Sequence, residues 1–185
     1  MPLSGPTWIA QFPGSQSLDD LAEPFQSNAK AFINALRTAG ADVIISATLR
    51  PPQRAYLMHF CCQIAKNEVD PATVPPFAGV DIQWQHTDES GNIDLAATKA
   101  AAAQMVEGYD IAFPPVLVSR HTQGLAVDMT ISWNGTLTIQ DATGNATTIA
   151  TEPRSGANSN LQEVGKTYGV IKLATDPPHW SSDGH

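Results

Sequence analysis

The chain is short of cysteine, of cationic side chains and of long apolar runs, and each shortage excludes something. Among 185 residues there are two cysteines, Cys61 and Cys62. They are adjacent, a spacing at which a disulfide is strained, so free thiols on a helix face are expected and no disulfide framework is indicated. Lys and Arg number 10 against 18 Asp and Glu, a formal net charge of -8. That balance argues against nucleic acid and anionic membranes as partners, because both reward basic patches. No apolar run is long enough to span a bilayer, so no membrane insertion is expected. The first residues, Met1-Pro2-Leu3-Ser4-Gly5-Pro6-Thr7-Trp8, carry neither the basic stretch nor the apolar core of a secretory signal. Synthesis in the cytoplasm without a signal peptide is the expectation. Charged residues make up 15% and apolar residues 42%. This composition belongs to a globular chain, of a length that suits one domain over 1–185.

What is present is organised around Ser119-Arg120-His121-Thr122-Gln123-Gly124-Leu125-Ala126-Val127-Asp128. From Leu125 onward apolar and polar residues alternate. As a strand, it turns Leu125, Val127, Met129 and Ile131 to a core face, and Ala126, Asp128 and Thr130 to the other. Gly124 permits a bend tight enough to return His121 to Asp128. An imidazole and a carboxylate converging in this way suit a divalent metal, zinc first. Taken alone, the pair is weak evidence, and a buried His–Asp hydrogen bond without metal is the safer reading.

The rest of the chain supplies a scaffold. Residues 1–16 read as a surface-wrapping segment. A helix is expected from Asp20 or Pro24 to Ala39, with Phe25, Ala29, Phe32, Ile33 and Leu36 as its stripe and Gly40 as its stop. Val43-Ile44-Ile45 reads as a short buried strand. Arg50 stands just before Pro51-Pro52, which open a second helix reaching about Asn67, with Leu57, Cys61 and Ile64 on one face and His59 at its surface or core edge. The proline-rich stretch 70–84 reads as loop, with Trp84 a packed aromatic and His86 a surface histidine. A third helix is capped by Asp94 and stopped by Gly108. An apolar run, Ile111 to Val118, leads into the central stretch. Asn134-Gly135 and the turn 141–145 punctuate Thr- and Ile-rich runs, which reads as an antiparallel meander over 133–151. Asn158 or Ser159 caps a helix to Tyr168, and 169–173 form a last strand. This order is that of an α+β fold, a small antiparallel sheet with flanking helices.

Near the end comes Asp176-Pro177-Pro178-His179-Trp180. Two prolines favour an extended polyproline backbone with about three residues per turn, which projects Asp176 and His179 to one side. His121, Asp128 and His179 then make a two-histidine, one-carboxylate set, the three protein ligands of a catalytic zinc. Asp176 is left over beside them, free to act as a base or to serve as a cap or turn residue.

Ser-x-His-x-x-Gly-x-Ala-x-Asp followed by Asp-x-x-His-Trp resembles the zinc peptidases that cut peptidoglycan stem peptides. These include D-Ala-D-Ala carboxypeptidases and dipeptidases and phage L-alanyl-D-glutamate endopeptidases. The resemblance spans residues 40 to 181 and includes an arginine between strand and helix, matched by Arg50. It implies the D-Ala-D-Ala peptidase or hedgehog-like fold, with the metal in a cleft on the sheet. It implies Zn2+ on His121, Asp128 and His179, Asp176 as general base, Arg50 facing the scissile carbonyl or a substrate carboxylate, and Ser119 and Trp180 at the substrate. Asp176 matches the endopeptidases; the carboxypeptidase branch tends to carry glutamate there. The stretch 133–151 is longer than a minimal member needs and reads as an insertion. A wall hydrolase of this kind acts in the periplasm or on the wall after delivery, as a phage lysis enzyme or as an injected antibacterial effector with an immunity or delivery protein. A zinc-bearing binding module and a structural component of a phage or secretion particle are the competing classes.

Overall fold

The computed structural model describes residues 1–111 and 115–185. It is α+β and falls into two compact units: residues 1–13 with 51–118, and residues 14–50 with 119–185. Among the described residues no helix is long and apolar enough to cross a membrane.

The second unit holds the residues of interest. Helix α1, Phe25–Thr38, begins after Pro24 and buries Phe25, Ala29, Phe32, Ile33 and Leu36, the stripe expected from its 3.6-residue spacing. Gly40 ends it: the N–H of Ala41 returns to the Leu36 carbonyl and that of Gly40 to the Arg37 carbonyl, leaving Gly40 at φ 92. Strand β1, Asp42–Ala47, follows. It is an edge strand with only one face covered, so Ile44 is 67% exposed and the expected buried strand is half-buried instead. Strand β2 spans Ala126–Ser132, β3 Leu137–Gln140 and β4 Ala146–Ile149. Helix α4 spans Ser159–Thr167, capped by the Asn158 side chain on the N–H groups of Asn160 and Leu161. Strand β5 is Ile171–Lys172 and β6 is His179–Ser181.

Four of these strands form one antiparallel sheet in the order β1-β2-β6-β5. From Val127 onward β2 alternates as the sequence implies: Val127, Met129 and Ile131 are buried, Asp128 is half-buried and Thr130 exposed, while Ala126 is buried although it shares the face of Asp128. Its core face packs with α1, α4 and Trp180, whose ring centroid lies 5.5 Å from that of Phe32. β3 and β4 make a separate two-stranded sheet joined by the turn at 141–145. The expected meander is therefore wrong at its first turn, since Asn134-Gly135 does not close a hairpin between β2 and β3. β2 has no edge to offer there. β1 occupies one side, and β6 at residues 126–128 with a bridge from Ser155 at Ser132 occupies the other. β3 leaves the sheet and brings Leu137 and Ile139, with Ile149 of β4, into the same core.

The first unit contains α2, Pro52–Ala65, and α3, Leu95–Gly108. Asp94 caps α3 through the Ala97 N–H at 2.8 Å. Gly108 is the last helical residue rather than the stop beyond it; a Cβ there would meet Ile9 Cδ1 at 2.1 Å, so the glycine serves packing. The N-terminal segment adds buried Trp8 to this core, and the stretch 70–84 adds Val80, Ile82 and Trp84. Cys61 and Cys62 are free and buried on α2, and His59 is half-buried there. Part of the apolar run 111–118 lies outside the described residues.

Candidate metal centre

His121 sits in a single helical turn. The N–H of Leu125 bonds to the Arg120 carbonyl at 2.8 Å and that of Gly124 to the His121 carbonyl at 3.3 Å, the pattern of a Schellman closure. Gly124 adopts φ 70, and a Cβ on it would lie 2.9 Å from the Ala22 nitrogen. Both conformation and space demand glycine here. Ser119 anchors the start of the turn: its carbonyl accepts the Thr122 hydroxyl at 2.8 Å, its hydroxyl accepts the Thr122 N–H at 3.4 Å, and it is half-buried.

Asp128 and His179 are cross-strand partners in the β2–β6 register. Directly opposed residues point to the same face, so the two side chains meet without help from any loop. On its other flank Asp128 faces Ala47, where β1 carries a bulge at Ser46, and the Ser46 hydroxyl donates to the Asp128 carbonyl at 3.2 Å. Beyond the bulge, the Thr48 carbonyl lies 2.6 Å from His121 Nδ1.

Three atoms converge. His121 Nε2 is 3.1 Å from Asp128 Oδ1 and 3.1 Å from His179 Nδ1; His179 Nδ1 is 3.0 Å from Asp128 Oδ1. The outer nitrogens fix what those atoms carry. A main-chain oxygen only accepts, so His121 Nδ1, against Thr48, and His179 Nε2, 3.0 Å from the main-chain oxygen of His185, are the N–H donors. In the neutral rings the inner nitrogens hold lone pairs, and both point at a carboxylate oxygen. Three lone pairs this close repel unless a proton or a metal ion lies among them. Among the described residues, His121, Asp128 and His179 form a group that could hold a metal ion. The size fits as well: tetrahedral zinc with bonds of about 2.05 Å separates its ligand atoms by about 3.3 Å. Outer main-chain acceptors on both imidazoles are what metal-bound histidines require. The Asp128 side chain stays 20% exposed, so the centre is not sealed.

The electrostatics agree. Burial raises the pKa of Asp128, but hydrogen bonds with His121 and His179 and their charges outweigh it and hold the carboxyl well below its usual range. Burial lowers the pKa of His179, but the Asp128 hydrogen bond, the His185 oxygen and the fields of Asp128 and Asp176 raise it further.

The other expected site residues fall as follows. Asp176 is exposed, yet its charge acts on both His179 and Lys172. Its backbone is not the expected polyproline spacer. The His179 N–H bonds to the Asp176 carbonyl at 3.1 Å, so Asp176-Pro177-Pro178-His179 is a tight turn. The Lys172 ammonium fixes it by donating to the Asp176 and Leu173 carbonyls and, at 3.2 Å, to that of His179. Arg50 is half-buried, and its main-chain N–H donates to the His121 carbonyl at 3.0 Å, which ties it to the ligand turn. Trp180 does not line the site. It follows His179 in β6, so it faces the opposite way, pairs with Val127 and is 0% exposed. Sequence reading missed the Thr48 carbonyl, Lys172 and the Arg120–Asp183 ion pair. Only the alternation of β6 could have shown Trp180 to be core.

No family model matches the chain, and no curated protein or solved structure matches it.

Proposed function

We propose that this protein is a zinc-dependent peptidoglycan hydrolase that cuts a stem-peptide amide bond, of the L-Ala-D-Glu endopeptidase or D-Ala-D-Ala carboxypeptidase type, on the fold of those peptidases. The observation that carries the reading is the convergence of three lone pairs whose tautomers are locked from behind, open to solvent on one side. Zinc, when bound, lowers the pKa of water from about 15.7 toward about 7 and polarises a carbonyl. The chain's own residues do the rest. Asp128 is ionised at neutral pH and supplies the negative charge of the ligand set. Asp176, carried on the turn before His179, accepts the proton of the attacking water and passes it to the leaving amine nitrogen. Arg50, tied to the His121 turn, faces the carbonyl oxygen as negative charge develops on it, or the carboxylate of a terminal substrate. An endopeptidase is favoured over a carboxypeptidase by aspartate rather than glutamate at position 176. Such an enzyme lyses the wall after delivery, as a phage lysin or an injected effector.

The test is incubation of the zinc-loaded protein with purified peptidoglycan and mass spectrometry of the released fragments. New D-Glu amino termini, or free D-Ala, are expected from the wild type and not from His179→Ala. A protein that carries one equivalent of zinc and releases nothing overturns the hydrolase reading and leaves a zinc-bearing binding module.

A further inference from the structure

The turn that carries His121 and the segment after β6 are joined by one ion pair. Arg120 Nε donates to Asp183 Oδ1 at 3.0 Å and Nη2 donates to Asp183 Oδ2, so guanidinium and carboxylate meet edge to edge. Through Nη1 the same guanidinium reaches Gln123 Oε1 at 2.7 Å, spanning its own turn. Each end of this pair leads to one histidine ligand. Arg120 immediately precedes His121, and its carbonyl accepts the bond that closes the turn. At the other end, Asp183 Oδ1 accepts the His185 N–H at 3.3 Å. The fully buried Ser181 hydroxyl accepts the N–H groups of Gly184 at 2.9 Å and His185 at 3.0 Å. These bonds fold residues 181–185 back on themselves and set the main-chain oxygen of His185 against His179 Nε2. That contact keeps the ring hydrogen of His179 on Nε2 and its lone pair on Nδ1. Without the acceptor, the hydrogen is free to move to Nδ1, and one of the three donors is lost.

We propose that Arg120–Asp183 is a positioning brace for the metal centre. It touches neither metal nor substrate; it holds the His121 turn and the His185 acceptor in one frame, and so sets the affinity of the site for its metal. The proposal rests on the reading of His121, Asp128 and His179 as metal ligands. The pair itself is about one-third exposed, with side chains at 33% and 35%. A guanidinium–carboxylate pair this accessible contributes little to fold stability. Loss of an outer partner of a metal-bound histidine, in contrast, weakens metal binding by about 10–100-fold. The two roles therefore separate cleanly in experiment.

The experiment uses the full chain, wild type and the variants Asp183→Asn, Arg120→Gln and their double. Zinc affinity is measured by chelator competition, the visible spectrum of the cobalt-substituted protein reports ligand geometry, and melting in chelator reports the metal-free fold. Expected is a zinc Kd raised about 10–100-fold in each single variant, an altered cobalt spectrum, and a metal-free melting temperature within about 2 °C of wild type. The double variant should bind no worse than the weaker single, because the pair acts as one unit. Unchanged Kd in variants of a protein whose wild type binds zinc overturns the brace alone. Weaker binding that only tracks a lower metal-free melting temperature overturns it too, because that is a structural role. A wild type that takes up no zinc overturns the brace and the metal reading together.

Discussion

Zinc uptake should release close to one proton per site below about pH 6, and the apparent affinity should climb with pH until His179 is neutral. The perturbation is pH, applied to the metal-free protein. With no metal, a proton must lie among the three converging lone pairs. Burial works against a charged His179, but its bonds to Asp128 and the His185 oxygen and the fields of Asp128 and Asp176 prevail, so its pKa stands above the usual 6.5. Asp128, although burial raises its pKa, is held well below 3.8 by the two imidazoles and stays ionised. Below the raised pKa of His179 the metal-free site is thus an imidazolium–carboxylate pair, and metal must displace the His179 proton. Below the folded-state pKa, each pH unit should weaken apparent binding about tenfold, or about 1.4 kcal/mol; above it the affinity should level off. The same shifts set the stability of the metal-free fold. The raised pKa of His179 contributes stability that is complete below 6.5 and lost as pH rises through the folded value. The lowered pKa of Asp128 contributes stability that is complete above 3.8 and lost as pH falls through its folded value. The melting increment from zinc should therefore grow as pH rises through the folded pKa of His179, as the metal takes over from a departing proton. Titration calorimetry in buffers of different ionisation enthalpy counts the protons, and chelator-buffered titrations give the affinity. Proton release near zero at about pH 6, or a flat affinity between about pH 5.5 and 7.5, would refute the assignment of His179 as a ligand.

Three substitutions follow from the same geometry. Gly124→Ala forces a side chain into a φ of 70 with its Cβ 2.9 Å from the Ala22 nitrogen; a loss of about 2 kcal/mol or more in denaturant unfolding is expected, and a loss under about 0.5 would contradict the strain argument. Asp176→Asn should fold and keep its zinc, because the turn bonds run through the main chain, while turnover falls about 10²–10⁴-fold; zinc loss in this variant would make Asp176 a ligand. Arg50→Ala should retain metal and melting temperature but lose about 10²–10³-fold in turnover on peptidoglycan, with full activity excluding its role at the developing oxyanion.

The sequence by itself determined those features that depend on neighbours along the chain. The stripe Phe25, Ala29, Phe32, Ile33 and Leu36 fixes which side of α1 is buried, because helix geometry alone places those residues together. Asp94 and Asn158 declare their helix starts through bonds that span two or three residues. The alternation of 125–131 puts Asp128 on the face away from the core, and Gly124 lets the turn bring His121 to it, so two of the three donors were legible from one ten-residue stretch. His179 was legible as a partner, but for a reason the fold replaced. It reaches the site as the cross-strand neighbour of Asp128 in β6, not by projection from a polyproline spacer. Tertiary structure decided whatever depended on which edges and faces were already filled. Asn134-Gly135 carries the local signal of a hairpin, yet β2 was already bordered by β1, β6 and Ser155, so β3 paired with β4 instead. Trp180 adjoins a ligand in sequence and is buried in the structure, because successive residues of a strand face opposite ways and the core lay on its side. The Thr48 carbonyl reaches His121 from 73 residues away, and Asp183 pairs with Arg120 from 63. Contacts over that distance are fixed by sheet register and by the bulge at Ser46, and no local pattern in the chain encodes either.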